Sequence, residues 1–577
     1  MPVVKSDNIE KNSSILRFGI LCDGFTFKLW QVRVIESLLG SGIAELSLLI
    51  VNNTKKNETG ILKNIVSKFG NRFLYRNYIR FLSKPAALKR IDLSKKFINI
   101  PSIECRTIKK GRHSEYFSDL DIYTITNLGL DFILRLGFNI IRGDILKSAR
   151  YGVWSFHHGD EERYRGGPPG FWEIYFDDPV NGAILQKLTD RLDSGVVLKK
   201  GYFKTIDHSY SANIDKLFFG CTEWPLKVCR DINNGVADYL FYSPSLTNAT
   251  VFSRPSNMKM IKFAAKLFIN KIFFHCQELF RTEQWNIGVI HESLKNSIDY
   301  GFPEKEIHWM PLQKPVKFRA DCFARSSGDK LNIYFEDYDY RKRKGKISMV
   351  SYTENKGFSG HSTILEKDYH LAYPYIFENE GTIYMIPESC GNRQVDIYRI
   401  DPTTDKAIFL KTIIEDIAAV DSTLLKFNEK WWLFCTSSTD ESNIKLNVYF
   451  ADTLEGPFIS HQANPVKTDI RNARPAGRPF SNGSALYRPS QDSSFTYGGK
   501  IALNKILKLN EFEFEEETVG YIVPFKNSLY NKGIHTICEA GGYTIFDAKR
   551  FIFVGAAFRF HLVRKIKKLF RINGNGK

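Results

Sequence analysis

A chain of 577 residues exceeds what one hydrophobic core serves, so roughly two to four domains are expected. With 43% hydrophobic and 25% charged residues and no uncharged apolar run of eighteen, it reads as a folded globular chain without a transmembrane helix. A formal net charge of +18 points to acidic partners such as an anionic membrane or phosphorylated substrates, with a basic surface lacking any partner as the alternative.

The opening MPVVKSDNIEKNSS has no apolar segment or small-residue cleavage site, so residues 1–14 are expected to be a flexible N-terminus and not a secretory signal. The nine cysteines show no metal-ligand spacing and fit reduced thiols, so a cytoplasmic protein is expected, with peripheral placement on the inner membrane surface as an extension. Residues 15–22 (ILRFGILC) read as a strand, followed by a helix to about Leu39 and a second strand from Ala44 to Val51. Lys55 to Lys110 is basic and mostly helical in pattern. Asp131–Leu136, a short helix at Asp144–Ser148 and Gly152–His157 follow. This alternation predicts an α/β domain over 15–250 with a mainly parallel sheet, in which ligands bind beyond the carboxyl ends of the strands.

One such end is VWSFHHGDEERYRGGPPGFWEIY, residues 153–175, where a strand runs into His157 and His158 and then a turn rich in Gly and Pro. A polar surface loop and a strand end presenting catalytic groups both produce that pattern. Residues 251–305 read as a basic helical linker, because 258–280 alternates lysines with apolar residues at helical spacing. The basic tail 558–577 does the same. Both segments resemble interfacial helices that could rest on anionic lipid, and a helix packed on a domain with its lysines in water gives the same pattern.

From 306 to 557 the texture changes to short aromatic strands and turns. Residues fifteen apart recur: Asp321 and Glu336, Tyr373 and Glu388, Asp421 and Thr436, Ala476 and Gln491. The units begin 52, 48 and 55 residues apart, and a fifth, less regular one begins near His535. Repeats of about fifty residues built from paired strands predict a five-bladed β-propeller.

GVWSFHHGDEERYRGGPPGFWEI followed by ILQKLTDRLDSGVVL resembles the folate-dependent formyltransferases, whose pattern is roughly G-x-x-N-x-H-P-S-x-x-P-x-x-R-G and then D-x-G. That resemblance implies a Rossmann-like α/β formyltransferase fold, 10-formyltetrahydrofolate as cofactor and formyl transfer to an amino group. It places the catalytic histidine at His157 and the catalytic aspartate at Asp193. His158 is a further catalytic candidate, and Arg165 a candidate for an anionic substrate group. The family's oxyanion-stabilising asparagine is Ser155 here. Loss of an amide donor costs about 100- to 1000-fold in rate, which leaves a different acyl or one-carbon transfer or a silent binding domain open.

The propeller region resembles those of arabinanase- and invertase-type glycosidases and, most nearly, the N-terminal domain of plant glucosamine inositolphosphorylceramide transferases. FRADCF, YHLAYPYIF, YMIPESCGNR, VDSTLL, ARPAGRPF, YRPSQD and GIHTICEAGG carry this likeness. By analogy with glycosidase propellers, Asp321, Glu336, Glu388, Asp421 and Asp492 are expected to meet at the channel, with Arg474, Arg478, Arg488 and His535 as cationic neighbours and Gln491 in place of an acid. Paired carboxylates suit glycoside hydrolysis, whereas arginines favour an anionic group on the ligand. Recognition of a glycan, its hydrolysis and a scaffold role therefore stay open.

The expected whole is a formyltransferase-like enzyme acting on an amino-sugar, nucleotide-sugar or glycolipid substrate held by the propeller, with no nucleic acid partner. The alternative is a propeller glycosidase, or a glycan-binding protein associated with glycosyl transfer, attached to a degenerate formyltransferase domain.

Overall fold

The computed structural model describes residues 15–54, 70–110, 114–191, 194–296 and 306–574, with side chains as far as 567. The expected flexible N-terminus and Asp193 lie outside the described residues. The chain divides into two compact units, 1–271 and 272–577, with the boundary inside the helix Asn257–Phe280.

The first unit is built on a seven-stranded sheet in the order Val196–Lys204, Val180–Lys187, Val153–His157, Phe132–Arg135, Leu16–Cys22, Ala44–Asn52, Ser102–Cys105. The last five strands run parallel, and the first two are an antiparallel hairpin on one edge. Leu16–Cys22 is buried at all but one position because helices cover both faces of a mainly parallel sheet. Phe132 stacks between Phe18 and Trp154, at 5.2 and 4.0 Å, and ties three neighbouring strands together. Among the described residues 70–110 the stretch before Lys110 is not mostly helical. Its described part holds the short helices Phe73–Asn77 and Tyr78–Leu82 and the strands Arg90–Asp92, Ser102–Cys105 and Ile108–Lys110.

The second unit is propeller-like, with five antiparallel sheets of four or five strands. Four are local, starting at Lys317–Ser327, Ala372–Asn379, Ala419–Phe427 and Phe480–Asn482. The fifth joins both ends of the unit: Gly533–Ala540 and Tyr543–Ile552 pair onward to Thr282–Ile290 and His308–Trp309. Thr282–Ile290 lies in the stretch expected to be linker. It is a strand because its partner, Tyr543–Ile552, lies more than 250 residues downstream, where no local pattern reveals it. Residues 558–574 of the basic tail are likewise part of a helix, Gly555–Gly574.

The fifteen-residue spacing has a structural cause. Ala320, Ala372 and Val420 pair with Glu336, Glu388 and Thr436, and directly after each pair the register slips. The slipped residues include Asp321, Tyr373 and Asp421, all at positive φ (55°, 40° and 54°). A bulge inserts an unpaired residue and re-aims its side chain, and the innermost strand of each of these three sheets uses one at the same place. Between Ile534 and Ile537 the fifth sheet slips similarly, at His535. In the fourth, Gly477 at φ 137° lets the main chain lie against Ile537; a Cβ there would sit 1.8 Å from the Ile537 carbonyl oxygen.

Candidate functional site

The bulges bring charged groups into one buried cluster in the propeller. His535 lies between two carboxylates, with Nδ1 2.7 Å from Asp547 and Nε2 3.2 Å from Asp321. Asp547 also accepts the main-chain N–H groups of Asp321 (2.7 Å) and Thr536 (3.0 Å), and the Thr536 hydroxyl donates to Asp321 (3.1 Å). Burial alone would push the His535 imidazole down, but Asp547 and Asp321 hold it above its ordinary value. Trp285 stacks on the ring at 3.9 Å. Asp321, His535 and Asp547 offer ligand atoms within 4.8 Å of one another, a spacing a cation could use. A protonated imidazole there would offset one of the two carboxylate charges.

A second group surrounds Asp421. Arg474 donates to it through Nε (2.6 Å) and Nη2 (3.3 Å), and Gln491 adds Nε2 at 2.8 Å. The remaining Arg474 nitrogen reaches Asn443, and the guanidinium lies 5.1 Å from the Tyr497 ring centre. Arg474, with 12% of its side chain exposed, Asn443 and Tyr497 keep some contact with solvent, whereas Asp421, Glu388 and Gln491 are buried. Glu388 accepts the Asp421 main-chain N–H at 3.2 Å. Burial and then the Asp421 charge push its carboxyl up to about 8. Burial pushes Glu336 well above the ordinary carboxylate range, and Asp321, Glu388, Asp547 and Asp421 add to the effect. Asp321 is moved up to about 6 by burial, against the pull of His535. Tyr373 links the two groups: its N–H donates to Asp321, and its hydroxyl meets Thr423 and accepts from the Gly477 N–H.

Of the propeller residues picked out by sequence, Asp321, Glu336, Glu388, Asp421, Arg474, Gln491 and His535 belong to this constellation. Three are engaged elsewhere. Arg488 is fully buried and bidentate to Glu516 (2.6 and 2.9 Å), and it also donates to the carbonyls of Asn472 and Ala473. Arg478 donates to the Ile376 carbonyl. Asp492 caps its own turn through Ser494 and lies 3.5 Å from Lys500. Sequence reading missed Asp547, Trp285, Tyr497 and Asn443. Asp547 stands twelve residues after His535, so the fifteen-residue rule passes it by; the alternation of TIFDAKR was the available signal.

In the first unit the double histidine is turned inward. His157 is buried, with Nε2 3.1 Å from the Tyr164 carbonyl. His158 stacks on Phe218 at 3.7 Å and meets Cys221, and burial holds it well below its ordinary pKa. The Ser155 hydroxyl accepts from Arg135 at 3.0 Å, and Arg165 reaches the Ala249 carbonyl at 3.5 Å. The Pro168–Pro169 turn walls a mainly apolar cavity of about 590 Å³ with Tyr75, Leu88, Tyr210, Ile214 and Phe218. Ser155 is engaged by Arg135 and His158 is held in an aromatic stack, while Asp193 lies outside the described residues.

Residues 309–537 match the family described as glucosamine inositolphosphorylceramide transferase 1, N-terminal. The transferase of that name from Oryza sativa subsp. japonica is 33% identical over 212 residues, 36% of this chain and 28% of that protein. Its counterpart from Arabidopsis thaliana is 30% identical over 227 residues, 38% and 29% of the two chains. This chain therefore matches less than a third of the length of these relatives. Among solved structures, a family 117 glycoside hydrolase from Zobellia galactanivorans is similar over 47% of this chain and 91% of its own, at 14% identity and a TM-score of 0.31. A beta-xylosidase/alpha-arabinofuranosidase from a compost metagenome is similar over 43% and 93%, at 12% identity and 0.31. The reading of the protein as a formyltransferase is corrected by these relatives, which are named transferases of a different kind.

Proposed function

We propose that the propeller is a sugar-recognition module working in glycosyl transfer to an inositol-phosphate glycolipid, with the Asp421–Arg474 group as its contact for the glycan. The observation that carries this reading is Arg474, partly exposed beside Asn443 and Tyr497 and paired with a buried carboxylate, inside the stretch that matches the plant transferases. Arg474 and Asn443 can donate to sugar or phosphate oxygens, and Tyr497 offers a ring face to an apolar sugar edge. Glu388, protonated up to about pH 8, can donate to a hydroxyl where an ionised carboxylate could only accept. A second reading, in which the propeller itself cleaves or transfers a sugar, is favoured by Asp321 near 6 and Glu388 near 8, which suit a base and an acid at neutral pH.

Calorimetric titration of the full chain with glucosaminyl-inositol phosphate, inositol phosphate and glucosamine tests both readings. Binding of the first, weakened by Arg474→Ala without release of free sugar, is expected. No binding of any of the three would overturn the recognition reading. Release of a sugar from an aryl glycoside, abolished by Asp321→Asn, would transfer the assignment to the second.

A further inference from the structure

We infer that the second unit carries a docking face for an anionic membrane surface, built from residues 272–280 and the helix Gly555–Gly574. The two segments are tied together. Glu278 accepts from Arg564 at 2.7 Å and lies 2.8 Å from Lys565, whose Nζ is 3.0 Å from His275 Nδ1. Phe280 and Phe558 stack at 5.6 Å, and the Arg343 guanidinium covers Phe560 at 3.7 Å, which fixes the C-terminal helix to the first propeller sheet.

With those pairings made, large apolar side chains remain outside. Ile272, Phe273, Phe280, Phe553, Val563 and Ile566 are each 42–60% exposed. So many large apolar groups on adjoining segments mark a surface that another body covers. Val563 and Ile566 lie three residues apart on one side of the helix, Arg559 continues that side, and the exposed Lys567 flanks it. Residues 555–574 contain six Lys and Arg and no Asp or Glu.

This composition selects the occupant. A second copy docked symmetrically would set this cation-rich segment against itself. A bilayer with anionic lipid satisfies both features at once, taking the apolar side chains into its acyl boundary while its headgroups meet the cations. Among the described residues no helix is long and apolar enough to cross a membrane, so the contact is a surface one. It stands independently of the sugar-recognition reading.

Flotation of the full chain with phosphatidylcholine vesicles, with and without phosphatidylglycerol, tests the inference. Binding to the anionic vesicles is expected, and Phe273→Ser with Ile566→Ser should weaken it about tenfold or more. Arg559→Gln with Lys567→Gln should weaken it about tenfold at low salt and much less at high salt. All four positions are exposed, and an unchanged circular dichroism spectrum confirms that the variants fold. Absence of wild-type binding, or equal binding by wild type and both variants, overturns the inference. So does a concentration-dependent dimer in light scattering that Phe273→Ser abolishes, because the face would then join two copies of this chain.

Discussion

Replacing Arg474 by alanine should cost the propeller about 3–5 kcal/mol, the usual consequence of removing one partner from a buried ion pair. Asp421 is 1% exposed and Arg474 12%, with 2.6 Å between their nearest atoms, so solvent does little to screen the pair. Two unit charges about 4 Å apart attract by about 4 kcal/mol at an effective dielectric constant near 20. Once the guanidinium is gone, Gln491 Nε2 is left as a neutral donor to Asp421, with the Glu388 carboxyl close by. The stranded charge is the source of the penalty. Arg474→Ala combined with Asp421→Asn should therefore be markedly more stable than Arg474→Ala alone. Urea unfolding followed by tryptophan fluorescence measures this, since Trp285, Trp309, Trp431 and Trp432 all report on the propeller. A single-variant loss below about 1 kcal/mol, or a double-mutant cycle that is additive, would refute the argument.

Glu388 keeps its proton in the folded protein to about pH 8 and releases it near 4.5 when unfolded. The folded state then binds more protons over that window, so this group lowers stability as pH rises from about 4.5 to about 8. Glu388→Gln should flatten that decline and leave the variant more stable than wild type at neutral pH, as read from urea midpoints across the window. Gly477→Ala should lose more than about 3 kcal/mol or fail to fold, because its Cβ would meet the Ile537 carbonyl 1.8 Å away at a φ of 137°. Thermal melting would show a tolerated substitution at once. Arg488→Met should destabilise the propeller by about 1–3 kcal/mol, because buried Glu516 loses its bidentate partner but keeps Lys467 at 2.7 Å, and neither this variant nor its double with Glu516→Leu should alter sugar binding. Calorimetry showing that the folded double variant has lost the glycan would place Arg488 in the site after all.

The sequence alone determined the repeat of the propeller, because a bulge recurs on three innermost strands and its partner stands fifteen residues on. It also determined the strands Leu16–Cys22, Ala44–Asn52 and Val153–His157, whose apolar runs are local signals. It could not rank the arginines of the fourth repeat. Arg474, Arg478 and Arg488 look alike in ARPAGRPF and YRPSQD, yet one clamps Asp421, one meets a main-chain carbonyl and one neutralises Glu516. Nor could it direct His158, which became a stacked core residue because the helix Tyr210–Phe219 and its following turn bring Phe218 and Cys221 against it. Periodicity belongs to a strand and its immediate neighbour, so it is written locally. The partner of a charge is chosen by which distant strands and helices the fold makes adjacent, and in this chain that adjacency joins Glu278 to Arg564 across 286 residues.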